Sequence, residues 1–223
     1  MSKTITYAIT VCNEVTEFQK CFDIIYKQVQ AFREKGIVDN IVIQQDSNAL
    51  EQSVNSIRQY LSPYSEDCVQ YHVVAFQNNF SDYRNTLNSH CTGNYIFQID
   101  ADELVSNNVG EFLHRVIDNY PDLDLVAFPR ENRVEGITSS DMAKWGWINT
   151  VKGINWPDYQ FRFYRNTSDI YWQGMVHERP TGFRKWTVAP EEQALRHFKS
   201  IEKQRSQNKF YDKLHNYNGK EVN

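Results

Sequence analysis

Apolar positions along the first 130 residues alternate between two periods. Continuous or alternating runs of four to eight residues give way to stretches in which apolar side chains return every three or four positions. Thr4–Val11 reads as a first strand. The helix after it carries Phe18, Phe22, Ile25, Val29 and Phe32 on one face and closes at Lys35-Gly36. Ile41-Val42-Ile43 is a second strand, followed by a helix over 49–61 that stops before Pro63. Val69–Phe76 is a third strand, and Ser81 and Asp82 open a helix reaching about Cys91. The turn signal Thr92-Gly93-Asn94 introduces a fourth strand, Tyr95–Asp100. A helix near 108–119 and a strand over Leu123–Phe128 complete the series. Strand and helix in alternation predict an α/β fold, with a mostly parallel sheet covered by helices on both faces.

Past Pro129 the texture changes. Short strand-like runs (Gln160–Arg165, Ile170–Trp172, Phe183–Val188) replace the regular alternation, and all five Trp fall between 145 and 186. This half is expected to pack against the sheet edge as part of the same domain. Residues 1–130 would then form a ligand-binding half, 131–190 a completing half and 191–223 a C-terminal helical segment. No internal repeat or low-complexity linker divides the chain.

In a parallel sheet every C-terminal strand end lies on one rim, which is where such sheets hold ligands. Polar groups fall at those ends: Cys12-Asn13-Glu14, Gln44-Gln45-Asp46, Asn79–Asn85 with Arg84 inside it, and Asp100-Ala101-Asp102. Taken singly, each has an ordinary explanation. Glu14 and Ser81 could cap helices, Asp46 could make an Asx turn, Arg84 could lie on a solvated helix face, and the paired Asp could be a polar turn. Taken together they outline a nucleotide site. Acids accept from base and ribose, an arginine faces a diphosphate, and a hard divalent cation neutralises the Asp pair while bridging to phosphate oxygens.

With 24 Lys and Arg against 28 Asp and Glu, the formal charge of −4 gives no general case for nucleic acid or an anionic membrane. Basic residues nevertheless gather late: Arg196, Lys199, Lys203, Arg205, Lys209, Lys213 and Lys220. They read either as a solvated helix face or as a strip for an anionic acceptor or partner. Cys12, Cys21, Cys68 and Cys91 are scattered, without zinc spacing or a disulfide framework. The first strand begins almost at the N-terminus, leaving no room for a signal peptide, and no apolar run approaches the ~20 residues of a membrane span. A cytoplasmic protein is expected, so the Asn79-Phe80-Ser81 glycan sequon carries no weight.

The order of these elements resembles family 2 glycosyltransferases of the GT-A fold. The resemblance rests on Ile9–Glu14, Ile43–Ser47, Asn79–Asn85, Thr92–Ile96 and Asp100–Glu103, and covers about residues 4–130. A second block, Asp158–Arg165 followed by Trp172–Glu178, looks like the C-terminal part of a bacterial and phage branch with a His-Glu motif. The resemblance implies transfer from a nucleoside-diphosphate sugar, with uridine diphosphate the favoured carrier, and an inverting, Mn²⁺- or Mg²⁺-dependent mechanism. It places Glu14 and Asp46 at base and ribose, Arg84 at the diphosphate, Asp100 and Ala101 at ribose or metal, and Asp102 as metal ligand. His177 would be the second protein ligand, unless it is a structural histidine. His72, His90, His114, His197 and His215 have no acidic neighbours in sequence and are expected to be structural.

The usual paired acids after the second strand are missing, and so is the Glu-Asp pair that carries the base. For the base, Asp158 in the Trp156-Pro157 loop is favoured, with aromatic rings raising its pKa, and Glu178 follows. The five Trp either fill a second core or wall an acceptor site. A glycan, lipid-linked, protein or modified-DNA acceptor remains open, as does oligomeric state. Two alternatives remain, a sugar-phosphate nucleotidyltransferase and a non-catalytic nucleotide-sugar-binding module. The first would want glycine where Val11-Cys12-Asn13 stands.

Overall fold

The computed structural model describes residues 3–218. In chain order the elements are β1 (Ile5–Val11), α1 (Val15–Arg33), β2 (Asn40–Asp46), α2 (Glu51–Leu61), β3 (Val69–Val74), α3 (Phe80–His90), β4 (Tyr95–Asp100), β5 (Glu103–Leu104) and α4 (Val109–Asn119). The second half holds β6 (Leu125–Glu135), α5 (Ser139–Trp145), β7 (Asn149–Thr150), β8 (Gly153–Arg165), β9 (Tyr171–Gln173), β10 (Arg179–Thr181), β11 (Trp186–Val188), β12 (Leu195–Ser200) and α6 (Ile201–Asn218). The expected elements of the first half form within a few residues of their expected bounds, except that the last strand runs on to Glu135. One start signal differs: Asn79, not Ser81 or Asp82, caps α3, its side chain accepting from the Asp82 amide.

The main sheet runs β3-β2-β1-β4-β8-β6-β12-β5. β3, β2, β1 and β4 are mutually parallel. Both faces of β1 are buried, Thr6 and Ala8 on one as fully as Ile5, Tyr7 and Ile9 on the other. Ile5, Tyr7, Ile9 and Val11 join the larger core with Phe18, Phe22 and Ile25 of α1, Ile57 of α2 and Leu113 of α4. Ala8 faces the other way, with Leu87 of α3, Tyr164 and Trp172. Three layers result, with α1, α2 and α4 on one side and α3 with β9 on the other.

The second half does not sit against the sheet edge as expected. β8 runs antiparallel between β4 and β6, inside the sheet, and β6 continues past Pro129 to Glu135 with register shifts near both ends of its pairing with β8. A proline lacks the amide hydrogen a ladder needs, so a strand reads as ending there, yet Pro129 pairs in register with Tyr159 of β8 and, on the other side of β6, falls between the β11 pairing that ends at Ala127 and the β12 pairing that begins at Arg130. Asp158 therefore lies in a strand, not in a loop. β12 then pairs parallel to β6 and antiparallel to β5, setting His197 opposite Glu103. That register delivers the chain beside the Asp100–Asp102 turn just as α6 begins.

The tryptophans divide. Trp172 is buried, Trp145 and Trp147 pack on Val134, Ile154 and Ile201, and Trp186 is exposed. Among the described residues no helix is long and apolar enough to cross a membrane, and all four cysteines are free thiols, three of them buried.

Candidate active site

The C-terminal rim of β1, β2 and β4 opens into a cleft of about 1290 Å³ lined by Glu14, Asp46, Arg84, Asp100, Ala101 and Asp102 on one side. Asp158, His177, Glu178 and residues of α5 and α6 line the remainder. Every candidate named from the sequence therefore borders one cavity. Its volume exceeds the roughly 300–1000 Å³ of a typical small-molecule pocket.

At the base of the rim, buried amides stand where paired acids are usual in the family the sequence resembles. Gln45 donates to the Cys12 carbonyl (2.8 Å) and Gln44 to the Tyr83 carbonyl (2.8 Å), tying β2 to β1 and α3. Asp46 Oδ1 accepts from the Asn48 and Phe76 amides (2.9 and 3.0 Å), an Asx turn that holds the loop after β3. Glu14 stands at the N-cap position of α1 without capping it. Its Oε2 instead accepts from the Cys12 and Asn13 amides, at 3.1 and 3.0 Å.

Beneath the cleft lies an ionic network that the sequence reading did not anticipate. Arg84 is buried, contrary to the solvated-face option. Its Nε donates to Glu178 Oε1 (2.5 Å), its Nη2 to Asp100 (3.2 Å), and its guanidinium lies over the Trp172 ring. Its Nη1 has no hydrogen-bond partner among the described residues. Arg162, only 2% exposed, donates to Asp100 Oδ2 and Glu103 Oε1, both at 2.6 Å. Arg130 links the same Glu103 (3.1 Å) to Asp158 (2.7 Å). Burial alone would raise the Asp100 pKa, but Arg162 and Arg84 outweigh it and hold the carboxyl far below its ordinary value.

Asp158 corrects an expectation. Arg130 Nε and Nη2 and Asn132 Nδ2 all donate to its Oδ2, and Gln160 donates to Oδ1. Burial pushes its pKa up, yet Arg130 and these amides pull it below the ordinary value. The aromatic shielding expected to raise it is overruled by a cation at 2.7 Å.

Two histidines set aside from the sequence do have acidic company. His114 meets Asp39 at 2.8 Å, away from the cleft. His197 is the more consequential, because its Nε2 lies 3.3 Å from Asp102 Oδ2 and its Nδ1 2.8 Å from Asn132 Oδ1. Asp102 Oδ2 also accepts from Lys203 Nζ at 3.1 Å, and Lys203 reaches Glu14 Oε1 at 3.3 Å. The late basic run is thus no simple solvated strip, since Lys199, Lys203, Arg205 and Lys209 of its members lie in or over the cleft. Lys220 and the side chain of His215 lie outside the described residues.

His177, at φ 57°, lines the cleft with its ring against Tyr211. Carboxylate and imidazole are suitable donors for Mn²⁺, but the arrangement does not fit that ion. The Asp102 oxygen it needs already holds an ammonium and an imidazole, and Asp100 is neutralised by two arginines. Among the described residues no three His, Cys, Asp or Glu side chains are grouped to hold a metal.

Sequence reasoning missed Arg130, Asn132 and Arg162, although a signal was present. Asp158, Gln160 and Arg162 alternate along β8, and Arg130 and Asn132 along β6, so one face of each inner strand is polar.

A curled, mostly parallel sheet flanked by helices, with its acids on the C-terminal rim, is the architecture of the GT-A glycosyltransferases. Solved structures of that class superpose on the chain at low identity. S. aureus TarS 1–349 aligns at TM-score 0.59 and 12% identity over 88% of this chain and 60% of its own. The same fragment in complex with UDP-GlcNAc gives 0.60 at 12% identity, over 88% and 58%. The mannosyltransferase PcManGT from Pyrobaculum calidifontis, in complex with GDP-Man and Mn²⁺, gives 0.58 at 12% identity, over 88% and 57%. The chain spans about 60% of the TarS fragment. No curated protein matches the sequence. The sequence profile of glycosyl transferase family 2 matches residues 6–180, and the chain belongs to that family.

Proposed function

We propose that the chain transfers a sugar from a nucleoside-diphosphate donor to an acceptor hydroxyl by single displacement, inverting the anomeric centre. The observation that supports this most is Arg84, a buried guanidinium at the floor of the rim cleft whose Nη1 has no hydrogen-bond partner among the described residues. Such a group suits the two negative phosphates of a donor. TarS has been solved with UDP-GlcNAc and PcManGT with GDP-Man. A uridine or guanosine diphosphate sugar is accordingly the donor class to try first, with Glu14 and Asp46 toward base and ribose.

In this reading the acceptor enters past Trp145 and Trp147, whose rings lie 4.8 Å apart at the other end of the cleft and suit the C–H face of a sugar. The acceptor oxygen attacks C1 of the donor sugar, its proton passes to Asp158, and the C1–O bond to the diphosphate breaks. Asp158 is held ionised by Arg130, so it is a weak base that acts as the hydroxyl loses its proton in the transition state. Glu178 holds Arg84 in place, which suits it less to proton abstraction. Metal dependence, which the resemblance implies, is left outside this reading because Lys203 and His197 occupy Asp102.

The test incubates the protein with a panel of UDP-, GDP- and CDP-sugars and measures release of the free nucleoside diphosphate. One donor class should be consumed. Asp158→Asn should retain donor binding by calorimetry while losing at least ~10²-fold in turnover. A panel in which no nucleotide sugar is bound or consumed would refute the assignment.

A further inference from the structure

The basic residue closest to the Asp100–Asp102 turn from α6 is not free to wander. Lys203 is the third residue of α6, its backbone amide donates to Ser200 Oγ (3.3 Å), and the preceding strand is locked to β5 by the pairing of Arg196 with Leu104 and His197 with Glu103. Downstream, Phe210 packs against Phe76 at 6.2 Å, and Tyr211 against Phe80 at 5.7 Å and His177 at 6.0 Å. The helix is thus pinned across the cleft from both sides. A lysine in the first turn runs against the helix dipole. Here it is tolerated because two carboxylates, Asp102 at 3.1 Å and Glu14 at 3.3 Å, receive its ammonium.

That position is the one a divalent ion bound to Asp102 would need. An ammonium and a metal ion cannot share one carboxylate oxygen a few ångströms apart without strong repulsion. Lys203 already offsets one of the two carboxylate charges of Asp102 and Glu14, and its ammonium together with the His197 ring takes up Asp102 Oδ2, so that oxygen has little left to offer a second cation.

We infer that Lys203 is a tethered cation that faces the donor's diphosphate in place of a divalent metal. The inference rests on the nucleotide-sugar reading above and extends it. On donor binding the ammonium keeps Asp102 and gains the phosphate oxygens. As the sugar departs, it stabilises the charge on the leaving diphosphate beside Arg84.

The test is calorimetric titration of UDP and GDP into the full chain, in EDTA and again in Mn²⁺, with paramagnetic resonance of Mn²⁺ alone as a second readout. Wild type should bind its nucleotide with affinities within about threefold in the two conditions and take up no Mn²⁺. Lys203→Met should lose at least tenfold in EDTA, regain most of it in Mn²⁺, and bind Mn²⁺ at the freed Asp102. Lys203→Arg should behave as wild type. Near-ultraviolet circular dichroism identifies any variant that fails to fold, and the arginine variant together with wild-type metal independence still decides the matter in that case. Wild-type binding that requires Mn²⁺, or a folded Lys203→Met that binds in EDTA as wild type does, overturns the inference while leaving the donor assignment intact. Absence of binding by either nucleotide in both conditions overturns the inference and the donor assignment together.

Discussion

Arg162 is the cation most deeply enclosed in this fold, and its replacement has a calculable outcome. It lies between Asp100 and Glu103 at 2.6 Å from each, with Glu103 itself fully buried. In Arg162→Leu the Asp100 carboxylate keeps Arg84 and the Thr10 hydroxyl, while Glu103 keeps, among the described residues, only Arg130, at 3.1 Å, as an ionic partner. Removing one partner of a buried pair typically costs about 3–5 kcal/mol, because the stranded charge stays desolvated. In a chain of this size that corresponds to a fall in Tm of about 6–20 °C. The compensating change is Glu103→Leu. In the double variant Asp100 still pairs with Arg84, and Arg130 still pairs with Asp158, so no buried charge is left alone. The double variant should therefore be more stable than Arg162→Leu by about 2 kcal/mol or more. Urea unfolding followed by tryptophan fluorescence measures all three proteins. Additive losses, or an Arg162→Leu variant within 1 kcal/mol of wild type, would refute the network as the support of the cleft floor.

Two further outcomes follow from single groups. Burial pushes the Lys199 amine down to about 8 from an ordinary 10.5, despite the attraction of Asp102. The folded state then binds fewer protons than the unfolded chain between these values. The cost is full below pH 8 and is relieved as pH rises toward 10.5, with an upper bound of about 3 kcal/mol, less where water reaches the amine. Lys199→Met should unfold at higher urea than wild type at pH 7, with the difference closing by about pH 10.5, and a gap independent of pH would contradict this. Gly93→Ala places a Cβ 2.5 Å from the Thr6 backbone nitrogen and 2.8 Å from the Ile5 carbonyl carbon, where β4 enters beside β1. Rigid backbone on both sides predicts a loss of about 3 kcal/mol or insoluble expression, and a neutral result would show that the turn can shift.

The first half of the fold was legible because local signals agree there. Ile5, Tyr7 and Ile9 alternate with Thr6 and Ala8, turn residues separate the elements, and polar groups end the strands. The second half was not, for physical reasons visible at particular residues. Pro129 reads as a strand end but sits within β6. β8 enters the sheet through pairings with β4 and β6 that no local pattern specifies. In the site, acids at strand ends announced themselves, whereas their counter-ions came from far along the chain. Lys203 lies 101 residues from Asp102, and Arg162 lies 59 from Glu103. His197 looked isolated because its acidic partner comes through β12 pairing with β5 rather than through sequence neighbours. The pKa direction of Asp158 was misjudged for the same reason, Arg130 being 28 residues away on the adjoining strand.

A crystal structure of the chain soaked with UDP or GDP tests the account most directly. The nucleoside should lie between Glu14 and Asp46, with the diphosphate against Arg84 at the C-terminal rim of β1 and β4. A nucleotide seated elsewhere, or a rim that stays empty at saturating concentration, would contradict the claim that this cleft holds the donor.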